Sequence, residues 1–352
     1  AGLQLSDVDR IAVGLDHNVK ETGLDRIFQA KNFYMQRSLM DQFVFPRSDP
    51  RIRYVNHHLS HALSSFYMSG FEKANVITLD GTGGGEAGIL AVGDGKNFEV
   101  LHRIPNSSSC GHFYTLVTEL LGFDPHSAEG KTMGLAAFGT PDPHFFDACI
   151  DWNAPIPVID REKRRKFLSR FTPRGRGEPL TQEHKNLAAS LQHALERAGF
   201  AMAEWLFKQT GSRNLCMGGG CALNCSMNGK LRRLPFVDQI FIQPAAHDAS
   251  TALGAALWAH QDLTGERPGS KMEHAYWGPG YTDEQIEQTL VRARYNRFRK
   301  SGNVARDAAQ LLADGKVLGW LQGRMEAGPR ALGGRSILAD PRRAEMKDVV
   351  NK

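Results

Sequence analysis

The sequence predicts an α/β protein, and three observations carry that prediction. A strand, a glycine turn and a helix succeed one another as Asn214–Met217, Gly218–Gly220 and Cys221–Leu231. The unit returns as Val237–Gln243, a Pro-Ala-Ala-His-Asp loop and a helix over Ser250–Leu263. Earlier in the chain, a strand at Arg51–Asn56 runs into a helix at His57–Met68, and a buried strand, Ala74–Asp80, turns at Gly81–Gly85 into Ala87–Val92. Strands that alternate with helices in this way gather into a sheet with helices packed on it.

The remaining elements follow in order. Ile11–Leu15 reads as a strand after the Asp7–Asp9 turn, whereas residues 21–50 are polar and aromatic without clean periodicity. Along His57–Met68 the residues Leu59, Ala62, Leu63, Phe66 and Tyr67 recur at three- and four-residue spacing, the mark of an amphipathic helix. His57 and His61 sit beside that stripe and are expected to be partly exposed. Asp94-Gly95 is a second hairpin signal, and residues 110–140 look helical with glycine breaks. Asp160–Gly177 carries eight basic residues, Arg161, Lys163, Arg164, Arg165, Lys166, Arg170, Arg174 and Arg176. It reads as a solvated insertion, with attraction of an anionic substrate or partner as the functional alternative. A long helix over Gln182–Gln209 ends at Gly211, and a Gly-Pro-Gly segment around Trp277–Asp283 looks like a linker. Beyond it come helices near Asp283–Ala293 and Val304–Asp314 and a strand at Val317–Gln322. No partner for that strand is apparent, so it is expected to be a bare edge that further chain would cover.

Composition narrows the function classes. A chain of 352 residues has room for about two domains, and 41% hydrophobic with 23% charged residues is ordinary globular composition. No run of ~18 apolar residues exists, so no membrane span is expected. Five cysteines do not form a disulfide framework, and with no charged-then-apolar leader they favour a reducing cytoplasm. The net charge of +5 is too small to imply a polyanion, and no nucleic acid partner is expected. The opening Ala-Gly-Leu-Gln-Leu-Ser-Asp-Val-Asp reads like the middle of a domain, so the chain is expected to be a fragment.

Five constellations could carry chemistry. His57 and His61, four apart on a helix, project from one face and suit two ligands of one metal ion, although ordinary helix-face histidines share that spacing. Asp80 and Asp248 each stand just past a buried strand, where α/β proteins collect ligands. Two imidazoles and two carboxylates fit iron, manganese or zinc better than magnesium or calcium. The turn Asp80-Gly81-Thr82-Gly83-Gly84-Gly85-Glu86 lets backbone N–H groups approach a phosphate or other oxyanion, or is a flexible hairpin. Met217-Gly218-Gly219-Gly220-Cys221-Ala222-Leu223-Asn224 offers a helix N-terminus to a phosphate, while Cys221 and Cys225 read as small packing residues. Glu129-Gly130-Lys131 before an apolar run fits a helix cap and a nucleotide contact equally well. Finally, Arg324, Arg330, Arg335, Arg342 and Arg343 fall within twenty residues that hold no lysine, a pattern suited to bidentate binding of a small phosphorylated substrate. Only Glu326, Asp340 and Glu345 lie close enough in sequence to offset them, so bound phosphates are expected to do the rest.

Six segments in this order resemble the bacterial O-carbamoyltransferase family that decorates nodulation factors and antibiotics: residues 55–62, 79–83, 129–137, 217–224, 243–248 and 322–341. The resemblance implies two domains. Residues 1–275 would form an actin/hexokinase-like transfer domain, similar to the tRNA threonylcarbamoyltransferase and lacking its first strands. Residues 284–352 would begin a domain like the threonylcarbamoyl-adenylate synthase. It further implies that carbamoyl phosphate and ATP, with magnesium as a possible companion, give carbamoyl-adenylate. The carbamoyl group then passes to a hydroxyl of a small-molecule acceptor and AMP is released. The implied metal ligands are His57, His61, Asp80 and Asp248, with iron(II) the usual metal. The implied nucleotide contacts are Gly81, Thr82, Gly83, Glu129, Lys131, Gly218, Gly219, Gly220 and Asn224. Arg324, Arg330, Arg335 and Ser336 would bind carbamoyl phosphate and ATP. The alternatives are transfer to tRNA or to a hydrogenase-maturation partner, and a non-catalytic nucleotide-binding regulator. A homo-oligomer is compatible with all of them.

Overall fold

Alternation along one strand organises the larger part of the molecule. The structure, a computed structural model, describes residues 7–14, 50–269, 271–295 and 297–351. The aperiodic stretch 21–50 lies outside the described residues except for Pro50, as does Leu15 at the end of the first expected strand. Strand β1 (Ile11–Val13) pairs in parallel with β2 (Ile52–Tyr54), and helix α1 (His57–Ser69) follows. Strand β3 (Lys73–Gly83) is then flanked on one side by β4 (Glu86–Asp94) and β5 (Asn97–Pro105), an antiparallel meander. After α2 (Cys110–Leu120), α3 (Glu129–Ala136), the small pair β6 (Ile150–Asp151) and β7 (Val158–Ile159), α4 (Arg161–Leu168) and α5 (Gln182–Thr210), the chain returns to the sheet. Strand β8 (Asn214–Gly218) lies parallel to β3, and β9 (Gln239–Ile242) parallel to β8, with α6 (Cys225–Leu231) between them and α7 (Ala249–Thr264) after. The sheet order is β5-β4-β3-β8-β9.

Successive side chains on β3 point to opposite faces. Ile77 and Leu79 enter the larger core, with Phe113 and Val117 of α2 and Leu191, Leu195 and Met202 of α5. Ala74 and Val76 enter the smaller core on the other face, with Ala62, Leu63, Phe66 and Tyr67 of α1. Continuing the alternation, Thr78 and Asp80 also face α1. Pairing of β3 with β4 shifts register between Leu79 and Gly83, which frees Asp80 from the ladder at the strand's end. On its far side α1 packs against α7 so closely that a Cβ on Gly254 would lie 1.7 Å from the Ser60 carbonyl oxygen.

Most expected elements form, with shifted ends. Strand β5 lies beyond the expected set, although Asp94-Gly95 marks its turn and Gly95 takes the left-handed φ of 58° that such a turn needs. The expected helix over Cys221–Leu231 is split: a 3-10 turn covers Gly220–Leu223, and α6 starts only at Cys225, capped by Asn224. The basic stretch after Asp160 is partly helical as α4, and Arg164 on it is buried rather than solvated.

The chain divides into two compact units, one ending at Met272 and one beginning at Glu273. The second holds α8 (Asp283–Arg292), α9 (Val304–Ala313), β10 (Leu318–Leu321), β11 (Arg335–Leu338) and α10 (Met346–Val350). Both Thr282 and Asn303 cap the helix that follows them through their side chains. The expected bare edge at Val317–Gln322 is corrected here: β10 pairs antiparallel with β11, Leu318 opposite Leu338 and Leu321 opposite Arg335. That partner was hidden because Arg335-Ser336-Ile337-Leu338 is too short and too polar to show as a strand.

Candidate metal centre

Four side chains converge where β3, α1 and α7 meet. His57 and His61 occupy the first and fifth positions of α1, and Asn56 caps that helix by accepting from the Leu59 N–H at 2.9 Å. Their Nε2 atoms face each other at 3.1 Å. Asp80 Oδ2 lies 3.4 Å from His57 Nε2 and 3.2 Å from His61 Nε2. Asp248, at the N-terminus of α7, brings Oδ1 to 3.7 Å and 3.6 Å from the same two atoms. All four ligand atoms lie within 4.8 Å of one another, and among the described residues this is the group of three or more such side chains placed to hold a metal ion. Ligands held at about 2.0–2.2 Å from one cation stand about 3–4 Å apart, which is the spacing found, and two neutral imidazoles with two carboxylates are a borderline donor set. The four residues therefore fit a first-row divalent ion.

The sequence expectation of partly exposed histidines is corrected. His57 and His61 are both buried, because α1 is packed between the sheet and α7 and leaves almost no free face. Asp248 is the exception in the group, with a side chain 78% exposed. Burial acts against the ionised carboxylate of Asp80, but hydrogen bonds from His57 and His61 outweigh it, and the group is held far below the usual carboxylate range. For His61, burial disfavours the charged ring, yet the bonds to Asp248 and Asp80 raise its pKa overall. A residue that sequence reading missed sets the tautomer of His61. Ser250 Oγ sits 3.1 Å from His61 Nδ1 and donates its own proton to the His247 carbonyl at 3.2 Å. It must therefore accept from Nδ1–H, which leaves Nε2 to face the group, donating to Asp80 in the metal-free protein and offering its lone pair once a cation displaces that proton.

Glycines crowd this site for reasons of packing. A Cβ on Gly83 would lie 2.0 Å from His57 Cδ2, and one on Gly218 would lie 2.9 Å from the His61 carbonyl oxygen. Gly219 adopts φ 82°, and its Cβ would meet the Leu79 carbonyl oxygen at 2.3 Å. Gly220 passes Asp80 Oδ1 at 3.0 Å from its own Cβ position. The two glycine turns thus abut each other at the carboxylate of Asp80, with Gly81, Thr82 and Gly83 half-buried beside it.

Other expected contacts are placed less directly. Glu129, half-buried at the start of α3, accepts from Thr115 Oγ1 and from the His126 N–H, both at 2.8 Å, and Lys131 is exposed. Asn224 is engaged by the fold itself, since its amide pairs reciprocally with Gln192 at 2.8 and 3.0 Å and accepts from the Met227 N–H. Cys225, read as a packing residue, is exposed, and all five cysteines are free.

In the second unit the arginines find partners within the chain. Arg324 donates to the Gly278 and Trp277 carbonyls, each at 2.9 Å, and Arg335 donates to those of Gln322, Gly323 and Gly334. Arg342 makes a two-pronged contact with Asp340, and Arg343 pairs with Glu345 at 2.8 Å. Glu326 gathers the N–H groups of Leu332, Gly334 and Arg335, while Ser336 stands opposite Trp320 on β11. Carbonyls and acids thus do much of the compensation that the sequence alone assigned to phosphates, because the chain folds back on itself at Gly323–Gly334.

An α/β domain whose strand ends bring together two buried histidines, a half-buried aspartate and an exposed one carries a candidate metal centre. Comparison with known proteins narrows this. The family profile described as "Carbamoyltransferase N-terminus" matches residues 22–257, and "Carbamoyltransferase C-terminus" matches 309–352. The chain belongs to the carbamoyltransferase family. Nodulation protein NolNO of Sinorhizobium fredii is 41% identical over 372 aligned residues, covering 100% of this chain and 54% of that protein. The 3'-hydroxymethylcephem-O-carbamoyltransferase of Streptomyces clavuligerus is 32% identical, covering 84% of this chain and 55% of its own length. The chain spans about half the length of the curated relatives it matches. Among solved structures, full-length HypF in its phosphate- and nucleotide-bound form aligns at TM-score 0.44 and 17% identity, over 68% of this chain and 51% of that one.

Proposed function

We propose that this chain carries the transfer site of an O-carbamoyltransferase, which moves a carbamoyl group from an activated donor to a hydroxyl of a small-molecule acceptor. The observation that carries the reading is the convergence of His57, His61, Asp80 and Asp248 in a chain of this family. The name of the cephem relative, an O-carbamoyltransferase acting on a hydroxymethyl group, supports an oxygen acceptor. The meander followed by two parallel strands supports assigning residues 1–275 to the actin/hexokinase-like superfamily. Residues 284–352 then belong to the domain that makes carbamoyl-adenylate from carbamoyl phosphate and ATP, with Arg324, Arg330, Arg335 and Ser336 toward those substrates.

In the transfer, the acceptor oxygen bonds to the carbamoyl carbon, the carbon–oxygen bond to the phosphate breaks, and AMP leaves with the bonding pair and takes up the proton the hydroxyl loses. An iron(II) ion held by the four ligands would supply Lewis acidity to a carbonyl oxygen. The chain's own residues prepare the place. Asp80 stays ionised because both histidines point at it. Ser250 accepts from Nδ1–H of His61 and so directs Nε2 toward the other three ligands. The exposed side chain of Asp248 marks the side from which substrate approaches. Backbone N–H groups at Gly81–Gly83 and Gly218–Gly220 lie next to these ligands and are suited to the phosphate of the donor.

The test is iron analysis combined with carbamoyl transfer by the full-length protein. Asp80→Asn should lose both the bound iron and the transfer. Undiminished transfer by that variant would overturn the assignment.

A further inference from the structure

The helix α4 carries an arginine that the described residues leave without an anion. Arg164 is only 7% exposed, and its Nη1 is buried with no hydrogen-bond partner. Among the described residues, no carboxylate stands within ion-pair distance of it, whereas its neighbours Lys163 and Arg165 on the outer side of α4 reach Asp160 and Glu162. Asp160 also caps α4 through Lys163 N, and Asp147 is held by His144 and Arg197. The thiols of Cys110 and Cys149 lie within electrostatic reach of it, and burial pushes both up to about 11, so neither supplies negative charge at neutral pH. Beyond these neutral thiols, what faces Arg164 is cationic or aromatic. Arg161 is one turn earlier on α4, and the guanidinium lies over the Phe113 ring at 5.8 Å. Burial and then the charge of Arg161 lower the Arg164 pKa, the signature of a cation held in an unfavourable place.

That place adjoins the metal centre. Phe113 and His112 belong to the first turn of α2, which is seated on the Asp80–Gly81 backbone. Ser109, its cap, donates to the Asp80 carbonyl at 3.1 Å and to the Gly81 carbonyl at 2.7 Å. A Cβ on Gly111 would lie 2.5 Å from the Asp80 carbonyl oxygen, and His112 Cδ2 is 3.4 Å from the Cβ position of Gly81. Burial, then the positive charges of Arg164 and His126, depress the pKa of His112. A buried, planar guanidinium whose Nη1 has no partner, over the Phe113 ring and within electrostatic reach of His112 on the first turn of α2, is suited to a two-pronged oxyanion.

We infer that Arg164, with Arg161 and His112, forms a subsite beside the metal centre that binds a phosphate or carboxylate group of a substrate. This rests on the transfer reading above for the substrate's identity, but its test needs neither metal nor transfer. In the wild-type chain, inorganic phosphate should raise the melting temperature, and in R164M it should not. Calorimetry with AMP and adenosine tells the sources apart. If R164M weakens AMP by about 10- to 100-fold and leaves adenosine unchanged, the anion is the donor's phosphate. If AMP is unchanged and wild type still binds phosphate at saturating AMP through Arg164, the anion belongs to the acceptor. R164K, which keeps the charge and loses the fork, should show an intermediate loss, and it stands in if R164M does not fold. Equal phosphate and AMP binding by wild type and both variants overturns the inference. So does a lower melting temperature of R164M and R164K in anion-free buffer with no change in phosphate response, which would make Arg164 a packing residue. A negative result leaves carbamoyl transfer standing, and failed transfer leaves phosphate binding standing.

Discussion

His61 Nδ1 lies 3.1 Å from Ser250 Oγ, so a serine on the first turn of α7 decides which nitrogen of a buried histidine on α1 keeps its proton. Among the described residues the Ser250 hydroxyl bonds His61 and commits its own proton to the His247 carbonyl. Ser250→Ala should therefore leave the fold intact and weaken metal binding by about 10- to 100-fold. Competition with a chelator of known affinity reads this directly. An unchanged affinity would mean that the tautomer is set elsewhere.

Removing the histidines should do more than release metal. With both rings buried against Asp80, His61→Ala leaves that carboxylate partly stranded and opens space between α1 and α7. The metal-free variant should lose about 3 kcal/mol of stability in urea unfolding. A metal-free variant as stable as wild type would show that Asp80 finds other partners.

The closest contact between helices is equally testable. Gly254→Ala would set a methyl carbon 1.7 Å from the Ser60 carbonyl and must push α7 off α1. Asp248 rides on the N-terminus of α7, so metal affinity and thermal stability should fall together, the latter by about 1–3 kcal/mol. Gly219→Val, an obvious probe of nucleotide approach, suffers from the same problem, since its Cβ meets the Leu79 carbonyl at 2.3 Å. It should unfold the β8 turn before it reports on any ligand, and circular dichroism of the variant checks this.

Much of this architecture was legible in the sequence, because period-two and helical apolar patterns record which face each residue buries. The pairing of His57 with His61 came from helical spacing, and Asp80 and Asp248 came from their place at strand ends. Three things were not legible. The burial of α1 on all sides depends on α7, almost two hundred residues away. Ser250 is one serine among many until the fold sets it beside His61. The strand β11 is too short for its pattern to exceed that of a polar loop.

Acid should expose a third histidine of the same helix. His58 is buried, with Thr78 Oγ1 at 3.4 Å from its Nδ1, and burial lowers its pKa from the usual 6.5 to about 4. Its unfolded form takes up a proton near pH 6.5 and its folded form only near 4, so stability should fall as pH drops across that window, by up to about 3 kcal/mol. His61, whose folded pKa is raised, works in the opposite sense, favouring the fold as pH falls, so the comparison with His58→Gln isolates the His58 contribution. A cation at the neighbouring centre would depress His58 further, in the same direction. Urea midpoints measured from pH 6.5 to 4 should fall more steeply for wild type than for His58→Gln, and parallel curves would refute the assignment.

The unequal exposure of the four ligands has a kinetic consequence. Two imidazoles and Asp80 are fixed by the packing of α1 and β3, while the carboxylate of Asp248 stands 78% in solvent at a helix start. An ion can then be admitted after the polypeptide has folded, seated on three prepositioned donors and latched by the fourth. It leaves by the same gate, so Asp248→Asn should shorten the residence time of the ion far more than it slows its entry.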